Sequence, residues 1–455
     1  MLKNEKLKKI FSEVWRISWP LIIANSFWNF QVTIDRIFLG QFSTETLGAS
    51  VAAVGVFWAP MALVQQTAAY VTTFVAQYFG AKKEEWIGPS VWQSIYVSVI
   101  GGFLFLLLIP LAPMIFSLMG HSPGMQALEI QYFQAIAWSA LPTALIAACS
   151  GFFTGIGKSK TIMLINGVGL ILNVFLDYLL IFGNFGFPSM GIVGAGYATA
   201  IANFGAALLG FYLVFTGPNA RRFKMREGWR FQSDLMKRFI KFGVPSGLQW
   251  ALEGLAFTGF LIFIGRLPNG DAALAASSIT VSVLMLAILP VLGIAQGVSA
   301  LVGQHLGEDA PSKAVQVSWA GVSMALVYIC TMSVTFVLFP KFYMNWFGSP
   351  NSMELWASVQ ELVPNLLIFV AIFVLFDSLN LIFSFTLKGA GDTRFVSLVA
   401  LVLPWPIMVF PTWYVSEWDN GVYWAWAAAS VFICLQGLVF LARFLQGRWK
   451  SMRVI

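Results

Sequence analysis

Residues 14–40 read VWRISWPLIIANSFWNFQVTIDRIFLG, and residues 237–265 read KRFIKFGVPSGLQWALEGLAFTGFLIFIG. The two stretches align at an offset of 225 residues. Ser18-Trp-Pro20 falls on Gly243-Val-Pro245, and Phe38-Leu-Gly40-Gln41 falls on Phe263-Ile-Gly265-Arg266. Each is apolar over more than the about 20 residues that a helix needs to cross a bilayer core. Each also carries an acid in its interior, Asp35 or Glu253. A carboxylate at that depth is costly, so it normally faces a watery cavity and handles ions, protons or substrate.

The same character runs through the chain. Hydrophobic residues make up 58% of 455 and charged residues only 10%, at a mean hydropathy of +0.78. A soluble domain carries about 25% charged residues, so this is an integral membrane protein, and its apolar runs are helices. Charged or Gly/Pro-rich breaks divide it into about twelve spans, near 14–40, 46–79, 92–118, 128–155, 161–183, 191–215, 237–265, 272–306, 314–340, 354–388, 394–416 and 421–447. The start, MLKNEKLKKI, resembles the basic end of a signal peptide. The apolar run behind it is long, holds Asp35 and lacks a small-residue cleavage site, so it reads as a retained first helix.

The net charge of +7 follows topology rather than nucleic acid. If twelve spans alternate, 24 of the 27 basic residues fall on one face, and only Arg36, Arg266 and Lys341 on the other. The positive-inside rule then places both termini in the cytoplasm, in a prokaryotic plasma (inner) membrane. Cys149, Cys330 and Cys434 lie in spans as free apolar thiols. His121 and His305 sit near span ends and read as solvated interfacial side chains. No CxxC, HExxH or P-loop lysine motif occurs, so an enzyme or an ATP-driven pump is not expected, nor any cofactor beyond a coupling ion.

Further matches follow in the same order along the chain, at offsets of 227 and 234. Val75-Ala-Gln77-Tyr-Phe-Gly80 matches Val302-Gly-Gln304-His-Leu-Gly307, and Thr154-Gly155-Ile-Gly157 matches Lys388-Gly389-Ala-Gly391. Six spans per half keep both halves in one orientation, as parallel repeats of a two-lobed carrier. The expected organisation is an N-lobe at 1–220, a cytoplasmic linker at 221–236 and a C-lobe at 237–455. Two deep acids fall in each half, Asp35 and Asp177, then Glu253 and Asp377.

The arrangement resembles the multidrug and toxic compound extrusion (MATE) family, in its NorM-like or DinF-like branch, over essentially the whole chain. The resemblance rests on Pro20 and Asp35, on Phe38-Leu-Gly-Gln-Phe-Ser-Thr-Glu-Thr-Leu-Gly-Ala after them, and on the Gly155-x-Gly157-Lys158 turn. Asn173-x-x-x-Asp177, Gly194-Ala-Gly-Tyr-Ala-Thr199, Glu253, Asp377 and Gly389-x-Gly391-Asp392-Thr393 extend it. It implies export of organic cations, such as drugs and dyes, against inward Na⁺ or H⁺, by a monomer in the lipid bilayer. It assigns the N-lobe cation or proton site to Asp35, Asn173, Asp177 and Thr199, and a C-lobe site to Glu253 and Asp377. One departure stands out. Phe373 replaces an aromatic hydroxyl expected one turn before Asp377, which removes an oxygen donor from any Na⁺ site there.

Bland readings compete with these. Asn173 and Asp177 share a helix face at i,i+4 and serve either an ion or a structural network between helices. Glu253 and Asp377 either bind cations or pair with amides such as Gln249. Pro20 is a hinge or a static bend. Trp28, Gln31, Gln249, Trp250 and Met285 have the depth to line a cavity for flat organic cations. The runner-up function is a lipid-linked oligosaccharide flippase of the same broad fold group, whose cationic cavity would call for deep Lys or Arg.

Overall fold

The computed structural model describes residues 2–347 and 353–455. Among the described residues there are twelve long helices and no strand. These are α1 Leu2–Phe42, then α2 Glu45–Gly80, α3 Glu84–Leu106, α4 Pro123–Gly155, α5 Ser159–Phe182, α6 Gly191–Phe215, α7 Ser233–Ile264, α8 Gly270–Gly307, α9 Pro311–Leu338, α10 Trp356–Ala390, α11 Thr393–Tyr414 and α12 Gly421–Gln446. The last eleven are long and apolar enough to cross a membrane. In α1, Asn25, Asn29, Gln31, Asp35 and Arg36 dilute the apolar run.

Local chemistry sets the helix ends. Ser43 precedes α2 and its hydroxyl accepts from the Thr46 amide at 3.2 Å, an N-cap. Ser122 does the same for α4, with Pro123 in the first helical position. Gly183, at φ 74°, closes α5 in the left-handed conformation that glycine adopts freely. The third span is shorter than expected. Its helix stops at Leu106 because Pro110 and Pro113 lack backbone donors, and a separate short helix, Ala112–Ser117, follows.

The described chain divides into two compact units that do not split at the sequence midpoint. An N-unit holds residues 23–251, 303–310 and 453–455, and a C-unit holds 1–22, 252–302 and 311–452. Helix α1 therefore leaves the C-unit two residues after Pro20, and α7 leaves the N-unit six residues after Pro245. Inside the N-unit, Leu39, Phe57, Phe105, Phe116, Phe133, Ile181 and Ile192 form one apolar cluster. Inside the C-unit, α10 packs tightly on α9 and α12, and Trp426 is buried against Phe260.

One sequence repeat explains itself here. A Cβ on Gly80 would lie 1.9 Å from the Gln304 carbonyl oxygen, and one on Gly307 would lie 2.1 Å from that of Gln77. The ends of α2 and α8 thus cross at two glycines, each seated on the other repeat's glutamine. The glutamine side chains hold the rest: Gln304 Nε2 donates to the Gly155 carbonyl at 2.7 Å, and Gln77 Oε1 accepts from the Val454 amide at 2.8 Å.

Candidate cation sites

The N-unit gathers the four polar residues singled out in its half of the sequence. Asp35 from α1, Asn173 and Asp177 from α5 and Thr199 from α6 are all buried. Asn173 Nδ2 donates to Thr199 Oγ1 at 3.3 Å, and that hydroxyl lies 3.5 Å from Asp35 Oδ2 and 3.1 Å from its own Ala195 carbonyl. The carboxyls of Asp35 and Asp177 lie within hydrogen-bonding reach of each other. Ionised carboxylates are acceptors only, so two facing each other supply no donor. Accordingly Asp35 Oδ1, Asn173 Oδ1 and both Asp177 oxygens are buried without a hydrogen-bond partner. A buried oxygen in that state costs about 1–3 kcal/mol. A proton or a small cation between the acids removes the cost.

The C-unit builds a different site. Glu253, Asp377, Asn380 and Gln436 line a cavity of about 180 Å³ together with Phe257, Phe260, Phe373 and Trp426. Gln436 Nε2 donates to Glu253 Oε1 at 2.8 Å, and Asn380 Nδ2 donates to Asp377 Oδ1 at 2.9 Å. Gln436, from α12, is thus an amide on Glu253 that the sequence did not single out. Phe373 is 1% exposed and stacks on Trp426, with ring centroids 6.5 Å apart at 22°. Amide N–H groups and ring faces surround these two acids. That suits an organic cation, by charge and by cation–π attraction, better than a bare ion that needs several oxygens.

A family model, MatE, matches residues 20–179 and 245–413, starting at Pro20 and again at the repeat-equivalent Pro245. The chain belongs to the MATE family. It is a multi-pass membrane transporter and not an enzyme. It is 25% identical over 465 residues to a probable multidrug resistance protein NorM of Thermotoga maritima, covering 100% of this chain and 96% of the relative. A NorM protein of Shewanella oneidensis is 28% identical over 396 residues, with 86% and 84% covered. The fold matches an outward-facing multidrug resistance MATE family transporter of the MOP superfamily at a TM-score of 0.88, with 19% identity and 97% of each chain covered.

Several residues of this MATE chain stand where the sequence did not put them. Lys388, counted among the cytoplasmic loop cations, is buried at 4% exposure, with Nζ 3.7 Å above the Phe385 ring, and the charge facing it is Glu253. Its place at a span end hid it. Glu129, in the second turn of α4, is fully buried and sits 2.6 Å from His121 Nδ1. His305 is also buried, 3.2 Å from Glu308. His305 is therefore not a solvated interfacial side chain, whereas His121 is exposed as expected and also pairs with Glu129. Tyr132, which motif reading passed over, is buried and faces both Asp35 and Asp177.

The candidate cavity residues spread over both units. Trp28 is exposed and packs on Trp58 at 5.4 Å, Gln31 is half-buried, and Gln249 and Trp250 follow on α7, all in the N-unit. Met285 is exposed in the C-unit. A larger hollow of about 450 Å³ between α9 and α10 is lined almost wholly by apolar groups such as Val334, Ile368 and Ile372. These are outward-facing residues suited to lipid contact.

Proposed function

We propose that this protein, as a monomer, exports organic cations, including drugs and dyes, from the bacterial cytoplasm, with both termini on the cytoplasmic side, in exchange for inward H⁺. The observation that carries this reading is the Asp35–Asp177 pair, two buried acids within hydrogen-bonding reach with no donor between them. One proton converts that arrangement from two repelling acceptors into a donor and an acceptor. Loss of the proton restores the repulsion, which gives the N-unit two states that an ion can select. The names of the NorM relatives support the efflux reading. The C-unit cavity is the cation dock, its two acids supplying charge and its rings the stacking surface.

A second reading has its own observation. The four unpartnered oxygens of Asp35, Asn173 and Asp177 are hard donors of the kind that binds Na⁺. The flippase alternative is less favoured, because the charged residues lining the C-unit cavity among the described residues are the acids Glu253 and Asp377, and the nearby Lys388 faces Glu253. Pro20 is proposed as the hinge through which the N-unit state bends α1, since that helix passes from one unit to the other two residues later.

The test is ethidium uptake into proteoliposomes under a pH gradient or a Na⁺ gradient imposed separately. Uptake driven by pH, abolished in Asp177→Asn and weakened in Asp377→Asn, is expected. Uptake driven by Na⁺ alone would replace the proton with Na⁺ at the same acids. If Pro20→Ala stays fully coupled, the hinge falls. If neither gradient moves ethidium, drug efflux falls and flippase assays take its place.

A further inference from the structure

His121 and Glu129 belong to the N-unit and to neither cation site. His121 sits in the short connection between the helix Ala112–Ser117 and α4, with 43% of its side chain open to solvent. Its Nδ1 is 2.6 Å from Glu129 Oε1. Glu129 is buried to 0%, and its second oxygen, Oε2, has no hydrogen-bond partner. The surroundings are apolar: Phe116, Phe133, Ile136 and Ile192 belong to the cluster around this end of α4, with Leu128 and Met125 against it.

The charges near Glu129 are few. The start of α4, Pro123–Ile136, packs against α2, α6 and the helix Ala112–Ser117. Helix α6 and Ala112–Ser117 carry no acid or base, and α2 carries only Glu45, in its first turn. On α4 itself, Tyr132 is one turn further in, on the same face at i+3. Tyr132 in turn faces Asp35, Asp177 and Arg36. Helix α1, whose Leu39 and Phe38 join the same cluster, brings Asp35 and Arg36 to the Tyr132 side. A buried carboxylate held through a half-exposed histidine is an arrangement that stability alone does not call for.

We propose that His121 and Glu129 are the outer proton port of the N-unit, which loads the Asp35–Asp177 pair. The inference rests on the proton-coupled reading above and adds the route by which the proton arrives. By the alternation of spans, His121 lies on the face opposite the basic loops, the side from which protons would enter. Histidine is the side chain that accepts and releases protons near neutral pH. A proton from outer water binds Nε2, and the imidazolium passes its Nδ1 proton to Glu129 Oε1, leaving neutral histidine and a neutral carboxyl. That carboxyl, now uncharged in its apolar setting, passes the proton inward through a water beside Tyr132 to the acid pair, since the Tyr132 hydroxyl bonds neither Glu129 nor the acids directly. The water ends unchanged, Glu129 is again a carboxylate, and one proton has moved inward.

Glu129→Gln keeps the hydrogen bond, since the amide oxygen still accepts from Nδ1–H, but it cannot carry the proton. His121→Gln removes the exposed acceptor. Both would be reconstituted in liposomes with about pH 5.5 inside and about pH 7.5 outside, a span that crosses the range where histidine changes charge. Two rates are read, ethidium uptake driven by the gradient and ethidium–ethidium counterflow at equal pH, which needs no net proton transfer. Gradient-driven uptake should slow by about tenfold or more in each variant while counterflow persists. Uptake at the wild-type rate in both variants overturns the port and leaves the proton reading standing. Uptake and counterflow falling together also overturns it, because His121 and Glu129 would then be structural. Wild-type uptake that ignores the pH gradient removes the proton reading itself, and the port with it.

Discussion

At the scale of single residues, burial makes charge pairs matter most where the chain leaves the membrane. Lys388 and Glu253 are opposite charges in one unit, the lysine buried at 4%. Glu253 is only half-buried, so taking one partner away costs less than the about 3–5 kcal/mol of a fully buried pair, and removing both can be nearly neutral. Lys388→Met should therefore lower the thermal midpoint of the detergent-purified protein clearly, and Lys388→Met with Glu253→Gln should recover most of the loss. A double variant as unstable as the sum of its singles would show that the two do not interact. The difference between legible and hidden residues has the same origin. Asp35, Asp177, Glu253 and Asp377 stood out in the sequence because an acid in the middle of an apolar span has no cheap explanation. Lys388 and the His121–Glu129 pair lie within a few turns of a span end, where a charged side chain is ordinarily taken to reach water.

At the scale of elements, the twelve helices follow from apolar run length, and the repeat marks where they must touch. Gln77-Tyr-Phe-Gly80 and Gln304-His-Leu-Gly307 looked in the sequence like markers of duplication. In the fold they are the two sides of one crossing, each glycine against the other's carbonyl. That pairing was not legible, since periodicity says that a residue faces inward without saying what it meets. A methyl at Gly307 would stand 2.1 Å from the Gln77 oxygen, and a backbone carbonyl cannot swing aside as a long side chain can. Overpacking of this kind costs about 1–3 kcal/mol, occasionally more. Gly307→Ala should lower the thermal midpoint, while Gly55→Ala, with nothing within 4 Å of its added methyl, should leave it unchanged. Equal midpoints for both variants would mean that the crossing is looser than the geometry states. Span three shows the opposite limit of pattern reading. Hydropathy ran on to 118, but the prolines at 110 and 113 ended the helix at Leu106.

At the scale of the whole molecule, the duplicated halves and the compact units are different divisions, and the difference is physical. Duplication is written along the chain, whereas each compact unit takes in segments from both halves, residues 1–22 in one case and 303–310 in the other. Sequence could supply the first and not the second, because which segment packs where is decided by contacts such as those of Gly80 and Gly307. The proposed orientation rests on charge, with 24 of 27 Lys and Arg expected on one face of an alternating twelve-span chain, the bias that sets cytoplasmic loops. It would also set the direction of the proposed proton route, because the same alternation puts His121 on the sparse face. With the native cysteines replaced, Leu118→Cys, at a site 80% exposed beside His121, should react with an impermeant maleimide in intact cells. Trp229→Cys, at a site 58% exposed in the basic segment between α6 and α7, should react only after the membrane is opened. The labelling ratio between the two sites should be roughly tenfold in intact cells if the positive-inside bias holds. The reverse pattern would turn the molecule over, put His121 in the cytoplasm and make its pairing with Glu129 an exit for protons rather than an entrance.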